Sequence, residues 1–412
     1  MNKKLINFFK KYLFKKPFMV SDFKPYLQKN RIEPVWWRTI LWGIGLSMVG
    51  GQLSAVSIIT TATGGATTSG YQGAAYSLTS GDVMRGFIMF KNGFTIPDPG
   101  TVFYDAEGPV YGNITFGSTG ANTSTLQLGS DLRLGTTGWF AQTSGINAID
   151  GCPIVTAGIG GPGNSILMGG DQTLGFGLTI TSSLTIDGCG HTLTVNSSGL
   201  FTLDNRATLT LKNMNIITSV PNLFARTASK AGYVGLENVN IYLTQNSALF
   251  GDSATSLGMT RIQGLVGIYG PYSATASSTR FDNPCGSKCN ILINSGSTLY
   301  VGPGVTFDLS GLALPSANKI GMQDSTSVLW LDGCTLTCNV ATAGQQGLVL
   351  SKGTVLLDDK VVISDLNGSG IANADITKGL IFGDGTTAND IDVRVLGGAY
   401  TVLNGCMQYK HS

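Results

Sequence analysis

The sequence has little charge and almost no histidine. Only 12% of its 412 residues are charged, and His191 and His411 are its two histidines. Two histidines exclude a histidine metal cluster, and a nucleophile activated by histidine would depend on His191 alone. We interpret His191 as a hydrogen-bonding turn residue. The hydrophobic fraction of 42% excludes a disordered chain.

After residue 55 the chain also lacks long runs of the helix formers Glu, Lys, Ala and Leu. Gly, Thr, Ser, Asn and β-branched residues dominate there instead, and the whole chain has 57 glycines. Such a composition is typical of short strands joined by tight turns. We therefore predict that the body of the protein is almost entirely β.

Basic residues are scarce outside the first 38 residues. That segment holds ten of the 26 Lys and Arg but two of the 24 Asp and Glu, so the rest of the chain is mildly acidic. Binding to nucleic acid depends on a basic face that neutralises phosphates. We therefore predict no nucleic-acid partner.

The basic segment begins a pattern typical of exported proteins. It is followed by an apolar run over residues 39–49 and by the sequence Leu-Ser-Ala at 53–55. A basic region, a short apolar core and a small residue are the parts of a secretory signal peptide, so we predict cleavage after Ala55. The alternative is an uncleaved anchor in which residues 36–60 cross the membrane. Both predict a secreted, surface or periplasmic body.

One short motif recurs along the body. Each copy consists of an apolar residue, any residue and a second apolar residue, followed by a polar or glycine corner. Copies start at Leu184, Leu209 and Val234, each 25 residues after the last. Further copies start at Leu299, Leu329, Val355 and, more loosely, Val393. Strands this short cannot bury a core alone, so the period indicates stacked coils of a solenoid. A β-sandwich does not require such a period.

The segment LTIDGCGHTLTV, residues 184–195, resembles a coil of the right-handed parallel β-helix (pectate-lyase-like) superfamily, of the secreted or surface bacterial type. This resemblance implies an all-β, right-handed, single-stranded parallel β-helix solenoid. We predict a leader over residues 1–55, an N-terminal cap or irregular segment over 56–100, the β-helix over 101–405 and a tail over 406–412.

The resemblance also implies candidate chemistry. Polygalacturonases of the superfamily use paired Asp residues as acid and base, which makes Asp358-Asp359 a catalytic candidate. In the repeat, however, this pair aligns with the corners Asp187-Gly188 and Asp332-Gly333. We therefore interpret Asp358-Asp359 as a turn, and we predict no cofactor.

Calcium is the alternative, because pectate lyases bind Ca²⁺ with several carboxylates on one face and abstract a proton with an Arg. The ion takes about six to eight oxygen ligands. Asp187, Asp332 and Asp358 fall at equivalent corners of the repeat, so they are the candidate ligands. Lys212 falls in the same column, and Arg394 is the candidate base.

The seven cysteines offer one disulfide. Cys285 and Cys289 lie in a predicted loop and can close a small ring in an oxidising compartment. Cys189 and Cys334 fall at apolar positions of the repeat, where we predict small core residues on the inner face.

These patterns predict a non-enzymatic extracytoplasmic surface or envelope protein, similar to an adhesin. It would bind surface glycans, host proteins or envelope proteins through its lateral faces and through loops such as residues 264–290. The alternative is a polysaccharide lyase or glycoside hydrolase acting on an extracellular glycan, which needs carboxylates and a basic residue in one groove. A trimeric fibre is a third class, which an apolar lateral face would favour.

Overall fold

The computed structural model divides the chain into two compact units, residues 1–56 and 57–412, and all the residues it describes lie in the second. The described residues are 58–59, 76–86, 88–117, 123–142, 146–150, 165–204, 207–226, 231–249, 257–275, 289–309, 318–338, 348–365, 380–383, 385, 390–397, 401–403 and 407–409. Ala55, Cys285 and most of the candidate membrane segment 36–60 lie outside them. Within them, no helix has the length and apolar character needed to cross a bilayer.

The described secondary structure consists of strands, and their pairings are parallel. The longest sheet has 14 strands. They are β8 (Leu132–Arg133), β11 (Ser165–Leu167), β12 (Gln172–Leu174), β14 (Leu184–Asp187), β15 (Thr192–Val195), β17 (Thr208–Thr218), β19 (Ala231–Leu243), β21 (Leu257–Tyr269), β23 (Cys289–Ile293), β24 (Thr298–Val301), β26 (Asn318–Met322), β27 (Val328–Asp332), β30 (Lys352–Asp358) and β33 (Asp390–Val395).

The other four sheets stack in the same parallel way. The eight-stranded sheet comprises β1 (Ile58–Ile59), β3 (Val83–Gly86), β5 (Gly100–Ala106), β7 (Thr123–Leu128), β10 (Ile146–Asp150), β13 (Gly177–Ile180), β16 (Leu200–Leu203) and β18 (Phe224–Arg226). The six-stranded sheet comprises β20 (Ser247–Ala248), β22 (Ser273–Thr275), β25 (Thr306–Asp308), β28 (Thr335–Cys338), β31 (Val362–Asp365) and β34 (Thr401–Leu403). The two smallest comprise β2 (Tyr76–Ser77), β4 (Phe94–Ile96), β6 (Ile114–Phe116) and β9 (Phe140–Gln142), and β29 (Leu348–Leu350), β32 (Leu380–Phe382) and β35 (Met407–Tyr409).

Alternation of side chains builds one continuous core. Leu209 and Leu211 on β17 are fully buried, whereas Thr210 between them is only half-buried because successive side chains of a strand point to opposite faces. Most of the buried apolar residues, drawn from all five sheets, form a cluster that extends from Leu78 to Phe382. Each fully buried Leu, Ile or Phe contributes about 1.5–3 kcal/mol. The all-β prediction is confirmed, and the stacked parallel strands are consistent with a β-helix-like solenoid.

The register of the repeat is confirmed within two series. Leu184 pairs with Leu209 and Leu209 with Val234. In the later series, Leu299 pairs with Leu329, and Leu329 pairs with Val355. These pairings place equivalent apolar side chains directly above one another from coil to coil.

The two series nevertheless belong to different columns of the sheet, a column being a set of residues that pair in register across successive strands. Leu299 pairs with Val266, which pairs with Val239 and not with Val234. Strands β17, β19 and β21 are long enough to turn a corner, so each carries two short segments with buried side chains, one on either side of the corner. The motif alone does not say which of the two segments a later copy continues.

Asparagines make that corner. Asn213 and Asn238 have φ of 49° and 54°, in the left-handed region that Asn tolerates better than other side chains. Asn238 Nδ2 donates to Asn213 Oδ1 at 3.3 Å, and Asn238 Oδ1 accepts the Leu265 N–H at 3.2 Å. The stacked amides hold the bend while the parallel ladder continues on both sides.

Replacing Asn238 should separate the stabilisation by the amide hydrogen bonds from the cost of the left-handed backbone at this corner. Asn238→Gly keeps the left-handed backbone and loses the amide bonds, worth about 0.5–1.5 kcal/mol each. Asn238→Ala also incurs the left-handed cost of about 1–2 kcal/mol, partly offset because glycine has about 0.5–1 kcal/mol more freedom to lose. We expect the Ala variant to be about 1 kcal/mol less stable than the Gly variant in urea unfolding. An Ala variant that matches or exceeds the Gly variant would contradict this account.

Two segments contain more strand than the sequence pattern indicates. The described part of residues 56–100, predicted as an N-terminal cap or irregular segment, contains strands that pair in parallel, such as Phe94–Ile96 with Ile114–Phe116. Its Thr and Gly content weakened the apolar pattern there. The predicted loop 264–290 begins inside β21, because Gly264, with φ of 64°, bends the strand without ending it.

The two predicted core cysteines have different environments. Cys334 is buried as predicted. Cys189 is exposed, with φ of 52°, so its prediction as a core residue is wrong. The coil that contains Cys189 has two more residues at this corner than the next coil. As a result Gly188, and not Cys189, lies in the crowded inner position. A Cβ there would be 2.3 Å from the Cβ of Met214.

Candidate functional site

The candidate calcium ligands lie in two columns. Asp332 and Asp358 pair directly on neighbouring strands. Asp187 instead pairs with Lys212 in the other series, so the predicted equivalence of the three corners is wrong. The physical reason is the corner described above, which splits the repeat into two columns. Among the described residues, no group of three or more His, Cys, Asp or Glu is placed to hold a metal ion.

The candidate catalytic residues make local contacts. Asp359 has φ of 49° and donates its N–H to Asp358 Oδ1 at 3.0 Å, as expected for a turn. Arg394 is exposed, and its Nε donates to Asp392 Oδ2 on the same strand at 2.6 Å. Arg394 pairs in register with Leu356, two residues before Asp358. The arrangement aims the guanidinium at Asp392.

The remaining candidates lie apart from these residues. Cys289 begins β23, and its predicted partner Cys285 lies outside the described residues. The His191 N–H donates to the Gly188 carbonyl at 2.8 Å, and its Nδ1 lies 3.7 Å from Asp171 Oδ1. His191 thus makes the contacts of a turn residue.

A half-open recess of about 480 Å³ lies on the long sheet where β17, β19 and β21 are adjacent. We call it the Gly235 recess. Its polar lining consists of Thr208, Thr210, Tyr233, Glu237, Arg261, Gln263 and Asn294. Sequence reasoning missed this site.

A missing side chain creates the recess. Thr210, Gly235 and Arg261 pair in register on three successive strands, all facing outward. Gly235 therefore leaves a gap between the Thr210 hydroxyl and the Arg261 side chain. The atoms nearest to this gap belong to a side chain and not to the backbone, since a Cβ on Gly235 would lie 3.0 Å from Thr210 Oγ1, a tight contact that the Thr210 side chain would have to relieve.

An ion pair positions the carboxylate at one side of the Gly235 recess. Lys212 and Glu237 are cross-strand neighbours, and Lys212 Nζ lies 3.2 Å from Glu237 Oε1. Both side chains are about one-quarter to one-third exposed, so the pair adds less than about 1 kcal/mol to stability. Its main effect is to hold Glu237 in place beside Gln263.

A row of four aromatic rings lies on the same sheet beyond the corner. Ring centroids are 5.1 Å apart for Tyr242 and Tyr269, 5.4 Å for Tyr269 and Tyr300, and 5.2 Å for Tyr300 and Trp330. The spacing follows the separation of the strands, at one ring per coil. We call these residues the aromatic row.

Glycine makes room for the aromatic row. A Cβ on Gly267 would lie 2.6 Å from the ring and the hydroxyl of Tyr269, which therefore lies over this glycine. The Tyr300 hydroxyl donates to Asp332 Oδ2 at 2.5 Å. Burial, and then the hydrogen bond and charge of Asp332, raise the pKa of Tyr300, so this phenol stays neutral.

The row leaves an apolar stripe on the outside of the sheet. Tyr242 is 41% exposed, and Ile217 beside it on the neighbouring strand is 36% exposed. This stripe and the Gly235 recess lie on opposite sides of the asparagine corner.

Fold and site define an all-β protein of stacked parallel strands with a recess and an aromatic row on its longest sheet. No protein-family model, curated protein or solved structure matches this chain.

Proposed function

We propose that the chain is a non-enzymatic extracytoplasmic surface or envelope protein, built as a right-handed parallel β-helix of the pectate-lyase-like type. It binds a surface glycan or a protein of its host or envelope through the outward face of the long sheet. The observation that carries the proposal is the placement of the Gly235 recess and the aromatic row on that one sheet. Binding sites are commonly such concave sites with a few polar groups.

The contacts of the carboxylates support a binding role over catalysis. Glycoside hydrolysis uses two carboxyl groups on either side of the scissile bond, about 5–10 Å apart. In the described part of the sheet, Asp332 accepts from Tyr300 and Asp392 accepts from Arg394. Within the recess lining, Glu237 is the one acidic residue, and it pairs with Lys212.

The location follows from the leader in this proposal. The basic segment directs export, cleavage follows Ala55, and no cofactor is needed for binding. N-terminal sequencing of the protein recovered from its native compartment tests this part. A first residue at position 56 supports cleavage, whereas an intact N-terminus in the membrane fraction supports the anchor.

The trimeric fibre is the second class that an observation favours, because the aromatic row forms an apolar lateral stripe. The row is only one ring wide on each strand, whereas a stable interface buries about 800 Å² per partner. Light scattering of the purified chain decides between the binding protein and the trimeric fibre. A monomer supports the binding role of the face, and a stable trimer would assign the stripe to self-association.

A combined turnover and binding experiment tests the proposal. The purified protein is offered pectins, alginates, chondroitin, neutral glycans and isolated envelopes, with and without Ca²⁺. We expect binding without unsaturated products or new reducing ends, and we expect Asp358→Ala and Arg394→Ala to bind as the wild type does. Turnover that either substitution abolishes would overturn the proposal and identify a glycan-degrading enzyme.

A further inference from the structure

We infer that the Gly235 recess is a binding site for a neutral saccharide unit. This inference rests on the proposed function, since it names the ligand class of one site on the proposed binding face. Its volume of about 480 Å³ falls within the usual range for small-molecule sites, about 300–1,000 Å³. The recess is half-open, as required for one unit of a longer chain that continues beyond it.

The polar lining matches the hydrogen-bonding needs of sugar hydroxyls. A hydroxyl group both donates and accepts, so a sugar needs both kinds of partner close together. Arg261 supplies a rigid fork of N–H donors, and Glu237 supplies acceptor oxygens. The amides of Gln263 and Asn294 each supply both, which lets adjacent hydroxyls of one ring be bound in pairs.

Tyr233 supplies the apolar part of the site. Its ring packs against Met259 and Leu292, which are buried, and borders the recess on the other side. A packed aromatic ring offers a flat surface of low conformational entropy. The C–H face of a pyranose ring fits such a surface while its hydroxyls meet the polar side chains.

The charge of the lining favours a neutral ligand. Arg261 and Glu237 contribute one charge of each sign to the lining, and Lys212 beside it forms an ion pair with Glu237. A uronate, sulfate or phosphate would therefore compete with Glu237 for its ion pair with Lys212. A neutral sugar uses both side chains without that conflict.

A substitution at Gly235 can test the inference, because it should fill the recess in a protein that still folds. Gly235 is not among the glycines with positive φ, and the atoms nearest to a Cβ there belong to the Thr210 side chain, which would have to shift by a few tenths of an ångström. Valine suits a strand, so Gly235→Val should fold and place two methyl groups in the recess. Gly177→Ala is the matched control, because a Cβ there meets nothing within 4 Å and the residue lies in the eight-stranded sheet.

The experiment measures binding of neutral and uronic-acid oligosaccharides to the full chain by calorimetry, after a glycan array has selected the best neutral ligand. We expect Gly235→Val and Arg261→Ala to weaken its binding at least tenfold. Gly177→Ala should bind like the wild type. Circular dichroism and thermal unfolding verify that each variant is folded.

Two results would overturn the inference. The first is a neutral saccharide that binds Gly235→Val as tightly as the wild type, and the second is a wild type that binds no neutral saccharide. In either case, retained binding to acidic glycans or envelopes leaves the proposed function standing with another ligand class. Loss of all binding by the wild type would remove both proposals.

Discussion

Gly93→Ala is expected to lower the free energy of unfolding by about 2–5 kcal/mol. The left-handed backbone, with φ of 75°, costs a residue with a Cβ about 1–2 kcal/mol, and overpacking adds about 1–3 kcal/mol. The new Cβ would lie 1.9 Å from the Asn113 carbonyl oxygen. That oxygen accepts the Phe94 N–H at 3.1 Å, so it cannot retreat without weakening the bond between two coils.

Comparison with Gly81→Ala separates the steric clash at Gly93 from the cost of the left-handed backbone. Gly81 has φ of 92°, and a Cβ there meets nothing within 4 Å. This variant should therefore lose only the conformational part, about 1–2 kcal/mol. Urea unfolding of both variants, with hydrogen exchange at β4 and β6, measures the difference. Equal losses in the two variants would show that the close approach at Gly93 is absorbed without cost.

Phe201→Ala is expected to destabilise the protein by about 3–5 kcal/mol, because it removes a fully buried ring from the core. Phe201 pairs in register with Phe224, and their rings stack at 6.1 Å between centroids. Loss of one ring leaves the other without its partner, and the gap cannot be filled by a chain that is held in register above and below. Phe201→Leu keeps most of the apolar volume and should cost about half as much or less.

A double-mutant cycle measures the contact between the two rings. Phe201→Ala, Phe224→Ala and the double variant should give a coupling of about 0.5–1.5 kcal/mol beyond the area that each ring buries. Ile217→Ala, on an exposed side chain of the neighbouring sheet, should cost less than about 1 kcal/mol and serves as the control. Additive effects of the two Phe substitutions would contradict direct ring contact. Because stacked coils can unfold separately, hydrogen exchange at β16 and β18 locates the change.

The candidate site shows where a repeat pattern stops being informative. Alignment with the other corners predicts that Asp358-Asp359 is a corner, and Asp359 has the left-handed backbone of one. The same alignment placed Asp187 with Asp332, which the pairings contradict. Corners of two columns have the same composition because both need residues that tolerate positive φ. Composition therefore identifies a corner and cannot assign it to a column.

The Gly235 recess had only a weak signal in the sequence. Gly235 interrupts a column of outward side chains between Thr210 and Arg261, but this is visible only after the pairing is known. Arg261 and Asn294 lie far from Tyr233 in the chain and meet it through the stacking of coils. The aromatic row was hidden for the same reason, since each ring belongs to a different coil.

The sequence by itself determined the class of the fold. Alternation of apolar and polar residues, with a 25-residue period from Leu184, is enough to require short parallel strands that share a core, because such strands cannot bury their apolar faces alone. The tertiary structure alone decided which corner continues which column, where Cys189 faces solvent and which side chains surround Gly235. Those outcomes depend on one- or two-residue differences in the length of each coil, which shift side chains between columns without changing the pattern that made the strands.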